Sequence, residues 1–280
     1  MNLADANARN LTAALSGYGE LERRAGVVLI TAPVAYSVFN IALLDAAVPD
    51  VPGELTRRIR VARRHYESAG TPWSFWICEN DLPRRELRRI FESFGEEGLQ
   101  SIAESPGMDT RQLVEPRRRL PGLAFRPVGD DQTRRHFSRL VCASFHIPAA
   151  MAEAVYSLDR FWTGPLKAWV GYEAGEPVTT TAAVDSSGVL GVYSVATLSD
   201  CRRRGYGEAA VRHAVSRLRE QGAGGPVVLQ SSPGAYSLYR SMGFRPRTRF
   251  HIFATTETAP SPASPVSAAG AFLHIPANRS

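Results

Sequence analysis

The stretch Val192–Val211, reading V-Y-S-V-A-T-L-S-D-C-R-R-R-G-Y-G-E-A-A-V, constrains this chain more than any other segment. An apolar strand runs into an Arg/Gly turn. The turn opens an amphipathic helix with Val211, Ala214, Val215 and Leu218 at helical spacing. Gly205 and Gly207 remove side chains where backbone must approach a ligand, and the first turn of a helix offers N–H groups with no partner of their own. With the positive end of the helix dipole and Arg202, Arg203 and Arg204 beside it, the turn reads as a cradle for a pyrophosphate. A P-loop would close on Gly-Lys-Ser/Thr, which is not present here. A dinucleotide fingerprint fits poorly as well: Ala210 takes the last glycine position, and Gly205 follows three arginines instead of a short strand-turn.

A second segment lies about one helix and one strand downstream. Leu229–Phe244 reads L-Q-S-S-P-G-A-Y-S-L-Y-R-S-M-G-F, a strand followed by a short helix ending in L-Y-x-x-x-G-F. Together, Arg202-x-x-Gly205-x-Gly207 and this later segment resemble the acyl-CoA signature and the following motif of the GNAT superfamily of N-acetyltransferases, in order and in spacing. The resemblance covers roughly residues 121–254. It implies an α+β fold, a mixed and mostly antiparallel twisted sheet flanked by helices, with acetyl-CoA as co-substrate and no metal.

The resemblance also implies roles. Val195, Ala196 and Thr197 would pair with the pantetheine arm as an extra β-partner, beside a bulge that splays the strands and frees an N–H to polarise the thioester carbonyl. Arg202, Arg203, Arg204, Gly205, Tyr206, Gly207 and Glu208 would wrap the pyrophosphate. Tyr239 matches the family tyrosine that points at the CoA sulfur; a phenol of pKa about 10 can protonate a departing thiolate whose acid has pKa about 8.5. Tyr236, one turn earlier, is the decoy. Ser232 stands where many relatives carry an asparagine that contacts CoA, a departure from the pattern, and Ser231 would share its role.

The general base is less legible. Many relatives use a carboxylate on the fourth strand, yet this strand offers only Tyr193 and Ser194. His146, in the loop Ser144-Phe-His-Ile-Pro148, is one candidate, and a water chain ending on backbone carbonyls is the other. Phe145, Tyr156, Phe161 and Trp162 suit an apolar pocket for a small organic amine, or they simply close the core.

The first half reads as α/β. A helix is expected over 4–24, strands over 27–30 and 36–44, a helix over 54–68, a buried strand over 73–77 and a helix over 82–94. That order echoes the second half without its Arg/Gly signature, as in a tandem protein whose first GNAT-like half is degenerate; a distinct substrate-binding extension is the rival. Glu115–Pro121, with two prolines and three arginines, is the expected linker. The expected division is thus 1–116, a linker 117–121, a catalytic unit 122–254, and a Thr/Ala/Pro/Ser-rich tail 255–280 too polar to order itself, with Ala271–Ile275 as an apolar patch that could dock. In the second half, strands are expected at 123–128, 167–172, 178–184, 189–197, 227–230 and 244–253, and a helix over 131–145 capped by Asp130 or Asp131.

Composition narrows the partners. A net charge of +6 suits an acidic ligand such as CoA. Only Lys167 among the 33 basic residues is lysine, so the arginines reflect a GC-rich bacterial codon bias and solvated faces, and no nucleic acid is expected. Cys78, Cys142 and Cys201 fit neither a zinc spacing nor a disulfide framework, which favours a reducing cytoplasm; Cys201, beside the arginines, reads as a small turn residue. The stretch 25–44 lacks charge, but Pro33, Thr31, Ser37 and Asn40 argue for two buried strands and no membrane span, and the acidic start argues against a signal peptide. The expected activity is acetyl transfer from acetyl-CoA to a small-molecule amine in a ternary complex, by a monomer or a homodimer. Another acyl-CoA, or a non-catalytic CoA-binding or sensory module, is the alternative.

Overall fold

Asn2 caps the first helix, α1 (Leu3–Leu15), by accepting from the Ala4 N–H. The structure, a computed structural model, describes residues 2–255; the stretch from 256 on, with the expected tail and its apolar patch, lies outside the described residues. Helix α1 and a 3-10 turn at Ser16–Tyr18 end well before Arg24. At Gly19 a Cβ would stand 2.0 Å from the Thr31 carbonyl oxygen, and the chain there turns into β1 (Glu20–Arg24). This strand is a charged, mostly exposed edge with no apolar alternation, and it pairs antiparallel with the buried β2 (Val27–Thr31).

The expected strand over 36–44 is shorter, β3 (Ile41–Leu44), antiparallel to β2. Residues before it form a turn organised by Asn40, whose Nδ2 donates to the Val34 and Tyr36 carbonyls while Oδ1 accepts from the Ala32 N–H. The uncharged stretch 25–44 is therefore spent on two strands and this turn. Among the described residues no helix is long and apolar enough to cross a membrane. Helix α2 (Glu54–Glu67) packs on the sheet through Leu55, Ile59, Ala62 and Tyr66, and the Tyr66 hydroxyl bonds Ile30 and Ile41 backbone across two strands. Strand β4 (Ser74–Cys78) lies parallel to β3. The helix expected over 82–94 is broken at Arg89 into α3 (Arg84–Arg88) and α4 (Ile90–Glu96). Strand β5 (Leu99–Thr110) was not anticipated, because Pro106, Gly107 and six polar residues hide its alternation.

Residues 115–121 carry neither helix nor strand. The second half then runs β6 (Ala124–Pro127), α5 (Asp131–Phe145), α6 (Ala149–Tyr156), α7 (Asp159–Thr163), β7 (Leu166–Glu173), β8 (Glu176–Ser186), β9 (Val189–Thr197), α8 (Tyr206–Glu220), β10 (Val227–Gln230), α9 (Tyr236–Ser241) and β11 (Arg245–Thr255). Asp130 and Thr133 form a capping box that fixes the start of α5.

Where a sheet in each half was expected, among the described residues one sheet of eleven strands runs through both, in the order β1-β2-β3-β4-β11-β5-β10-β9-β8-β7-β6. Strand β5, from the first half, pairs with β10 of the second, while β11, the last strand of the second half, inserts between β4 and β5. Each half lends its last strand to the other. The cores follow this arrangement: one core joins Leu11, Leu15, Tyr18 and Phe39 to Phe137, Tyr156 and Phe161, so α1 and α5–α7 share it. Alternate strand residues face the other way, where α2–α4 and α8–α9 cover two separate cores.

One carboxyl makes this packing pH-sensitive. Asp81 is partly buried; burial first, then the neighbouring Asp5, raise its pKa to about 6 against the pull of Arg9 and Arg58. The folded chain holds this proton more tightly than the unfolded chain does. The stability it contributes is thus complete below the ordinary carboxylate pKa of about 4 and is lost as pH rises through 6. Asp81→Asn is expected to melt higher than the parent at pH 7.5 and together with it at pH 4, in thermal scans at the two pH values.

Candidate active site

The bulge that the resemblance implied is present in β9. Thr179 pairs with Thr197 and Thr180 with Ala196, but Ala182 pairs with Tyr193, so β9 holds one residue more than β8 over that span. Ser194 adopts φ +49 there, and its carbonyl accepts a hydrogen bond from Thr180 Oγ1 at 2.7 Å. On its other side β9 pairs with β10 only at Leu190–Val227 and Gly191–Val228. Past that point the strands part, leaving residues 192–197 unpaired toward β10.

A cleft of about 360 Å³ opens between them. Its strand wall is Val195, Ala196 and Thr197, and its far wall includes Ser232, Leu238 and Tyr239. One end is the start of α8. Gly205 caps that helix at φ +92, and the first intrahelical bond runs from the Ala209 N–H to the Gly205 carbonyl, so the N–H groups of Tyr206, Gly207 and Glu208 precede it. A Cβ at Gly207 would come no closer than 3.6 Å to Leu238, Thr197 and Val195, so this glycine borders free space. Arg202 and Arg203 line the cleft too, Arg202 donating from Nε to the Thr197 carbonyl at 3.2 Å.

Two of the residues assigned to the cradle are turned elsewhere. Arg204 is exposed, lies 3.9 Å from Glu173 and does not line the cleft. The Tyr206 hydroxyl bonds Glu173, so Tyr206 serves the cleft from its position at the helix start. Glu208 lines the cleft while its carboxylate is held by Arg212 at 2.7 Å. Ser231 is fully buried and donates to the Ser232 carbonyl; Ser232 lines the cleft, with its hydroxyl oxygen accepting from the Ala235 N–H.

The cleft narrows to a side pocket of about 30 Å³ bordered by Phe145, Tyr193, Ser194, Gln230 and Tyr239. Tyr239 lines both spaces, and burial raises its phenol well above the usual value. Tyr236 is 36% exposed and lines neither. His146, one of the two candidates for the base, is exposed, sits at φ +57 as the C-cap of α5, and borders neither space. Nor do three of the four aromatics reach the cleft. Tyr156 and Phe161 are 1% exposed, Phe161 stacks on Tyr18 at 5.6 Å, and Trp162 donates from its indole N–H to the Tyr156 carbonyl. They close the core shared by the two halves, and Phe145 alone of the four borders the cleft.

Sequence reasoning missed Arg118, Ser144 and Gln230. Arg118 sits in the linker, where three successive arginines look like solvated charge; its Nη2 donates to the Arg203 carbonyl at 3.2 Å and it lines the cleft. Ser144 donates to the Thr197 carbonyl at 3.3 Å. Gln230 is the one polar residue of a buried strand, a signal that was available. Arg118→Ala is expected to weaken acetyl-CoA binding roughly 1.5- to 5-fold, the range for a solvent-facing charge, with the loss shrinking at high salt. Calorimetry at two ionic strengths checks this. Among the described residues no group of three or more His, Cys, Asp and Glu side chains is placed to hold a metal ion.

Residues 137–244 match the model of the acetyltransferase (GNAT) family. The chain is similar in structure to a GCN5-related N-acetyltransferase from Kribbella flavida, with a TM-score of 0.70 at 19% identity over 91% of this chain and 96% of that one. It is also similar to a GCN5-related N-acetyltransferase from Sphaerobacter thermophilus, with a TM-score of 0.55 at 15% identity over 90% and 92% of the two chains. A third similar structure is a tandem GNAT protein from the clavulanic acid biosynthesis pathway, with a TM-score of 0.52 at 12% identity over 92% and 94%. No curated protein matches the chain in sequence. The split between β9 and β10, the helix start at Gly205 and these likenesses converge: the chain has the GNAT acetyltransferase fold, and its second half carries the stretch that matches the family.

Proposed function

We propose that this chain is an N-acetyltransferase that moves the acetyl group of acetyl-CoA to an amine of a small molecule by direct attack in a ternary complex. The observation that carries the reading is the cleft itself: an unpaired strand edge at 195–197 leads from the open N–H groups of α8 at one end to the buried Tyr239 phenol at the other. That edge suits the amide-bearing pantetheine arm, and the N–H groups with Arg118, Arg202 and Arg203 suit a pyrophosphate. The amine lone pair attacks the acetyl carbon, the C–S bond breaks, and Tyr239 gives the sulfur its proton. The nitrogen's surplus proton passes to water, from which the phenol recovers its own.

The first half takes no such ligand in this reading. Its equivalent turn, between β3 and α2, is also closed by a left-handed glycine, Gly53 at φ +79. But that turn reads D-A-A-V-P-D-V-P-G, with two aspartates where the second half has arginines, and β3 stays paired with β4 over three registers. Charge and geometry both oppose a pyrophosphate there. This supports residues 1–116 as a degenerate GNAT-like unit and 122–254 as the catalytic one. The three free cysteines, with Cys78 buried, support a cytoplasmic location.

Thiol release from acetyl-CoA in the presence of a panel of small amines tests the activity. Release that depends on both acetyl-CoA and an amine is expected. A second reading, a CoA-binding module without catalysis, is favoured by one observation: among the described residues no carboxylate and no imidazole borders the narrow end of the cleft. Bound acetyl-CoA with no thiol release would establish that second reading instead. Release with a longer acyl-CoA alone would change the donor and keep the mechanism.

A further inference from the structure

Gln230 is 6% exposed, borders the narrow end of the cleft beside Ser194 and Tyr239, and its Oε1 is buried with no hydrogen-bond partner among the described residues. Buried acceptors are ordinarily paired, so this oxygen stands out.

The orientation of the amide follows from a fixed point. The Leu229 carbonyl can only accept, so Asn7 must present its Nδ2 to it, at 3.4 Å. That turns Asn7 Oδ1 toward Gln230, which must answer with Nε2, at 2.5 Å. Flipping either amide would set two acceptors against each other. The neighbouring groups are committed as well. The Tyr193 hydroxyl donates to Asn10 Oδ1 at 2.6 Å, and Asn10 Nδ2 is held by the carbonyls of Val184, Ser186 and Val189 at 3.0–3.1 Å. Tyr193 and Gln230 border the same narrow end of the cleft. The end of Gln230 left over is Oε1. Two asparagines of α1, a helix of the first half, thus set the polar floor of a cleft in the second.

We propose that Gln230 Oε1 accepts a hydrogen bond from the N–H of the incoming amine, with Asn7 as the positioning residue that aims it. This rests on the acetyltransferase reading above. The side pocket joins the two faces of the sheet: Tyr239 packs into the α8–α9 core, whereas Tyr193 and Gln230 reach α1. An amine seated on Gln230 donates N–H to Oε1 and keeps its lone pair for the acetyl carbon lying along 195–197. The oxygen is neutral, and the other polar groups around it, from Tyr193, Ser194, Ser232 and Tyr239, are neutral too. They take an N–H without compensating the charge of an ammonium. The acceptor class is therefore an amine uncharged near neutral pH, such as an aryl amine or an acyl hydrazide.

The test uses the full chain at pH 7 with saturating acetyl-CoA and three probes: aniline, acetohydrazide and ethylamine. Thiol release is expected with aniline or acetohydrazide in preference to ethylamine. Gln230→Leu should lower kcat/KM for the amine at least about tenfold while the acetyl-CoA Kd stays within about twofold, and Asn7→Leu should raise the amine KM with the same Kd. Gln230→Glu, nearly isosteric, covers the case in which the leucine variants do not fold; it should shift preference toward ethylamine, whose charge it can pair. Unchanged amine kinetics in Gln230→Leu would overturn the proposal. So would unchanged probe preference in Gln230→Glu, or no thiol release from any probe by a parent chain that binds acetyl-CoA. Failure of the parent to bind acetyl-CoA removes the acetyltransferase reading first, and the proposal with it.

Discussion

Gly207→Val is expected to weaken acetyl-CoA binding by about 100-fold or more while leaving the melting temperature close to that of the parent. The two halves of this outcome come from the same geometry. A Cβ at 207 meets nothing nearer than 3.6 Å, so the folded chain tolerates it. In the first turn of α8, replacing glycine by valine also favours the helix slightly, by a few tenths of a kcal/mol. The two methyl groups, however, point into the space between Val195 and Leu238 that the cleft leaves free. They would occupy the path of the ligand past the open N–H groups at the helix start. Calorimetry gives the affinity and a thermal melt gives the stability; loss of both would mean that Gly207 matters for folding alone. Gly207→Ala, which adds only the tolerated Cβ, should lose far less.

Tyr239→Phe is expected to lower kcat by roughly 10²- to 10³-fold with the acetyl-CoA Kd unchanged, the ordinary size of a general-acid contribution. The ring fills its place against Phe244 at 5.7 Å, so the phenylalanine variant keeps the packing and removes only the hydroxyl. The pH dependence is a second signature. Burial raises the phenol above its usual value, so Tyr239 stays protonated across the neutral and mildly alkaline range. Its ionisation should therefore produce no loss of kcat below about pH 10. A kcat within a factor of two of the parent would move the proton delivery to another group.

The sequence made legible those features whose physics is local. The cap at Asp130, the helix over 131–145, the strand 227–230 and the helix start after Gly205 each rest on a few adjacent residues, and each stands where expected. The features it concealed depend on distant partners. Strand β5 holds Pro106 and Gly107 and looks like a loop until β10 and β11 flank it. The strand exchange of β5 and β11 leaves no mark in either segment, since pairing partners are not written in periodicity. Arg118 reads as surface charge until Arg203 presents a carbonyl to it 85 residues away. Tyr156 and Phe161 are aromatic in any case; only the arrival of Tyr18 and Phe39 from the first half makes them core instead of pocket wall. Asn7 and Gln230 are 223 residues apart, and nothing in a helix beginning L-A-D-A-N announces that its asparagines serve a cleft in the other half.

The most direct measurement is a calorimetric titration of acetyl-CoA into the parent chain and into Gly207→Val. The account predicts saturable binding of one equivalent by the parent and its loss in the variant. Two equivalents would contradict the asymmetry between the turns at Gly53 and Gly205. No saturable binding at millimolar ligand would contradict the central claim that the split between β9 and β10 holds an acyl-CoA.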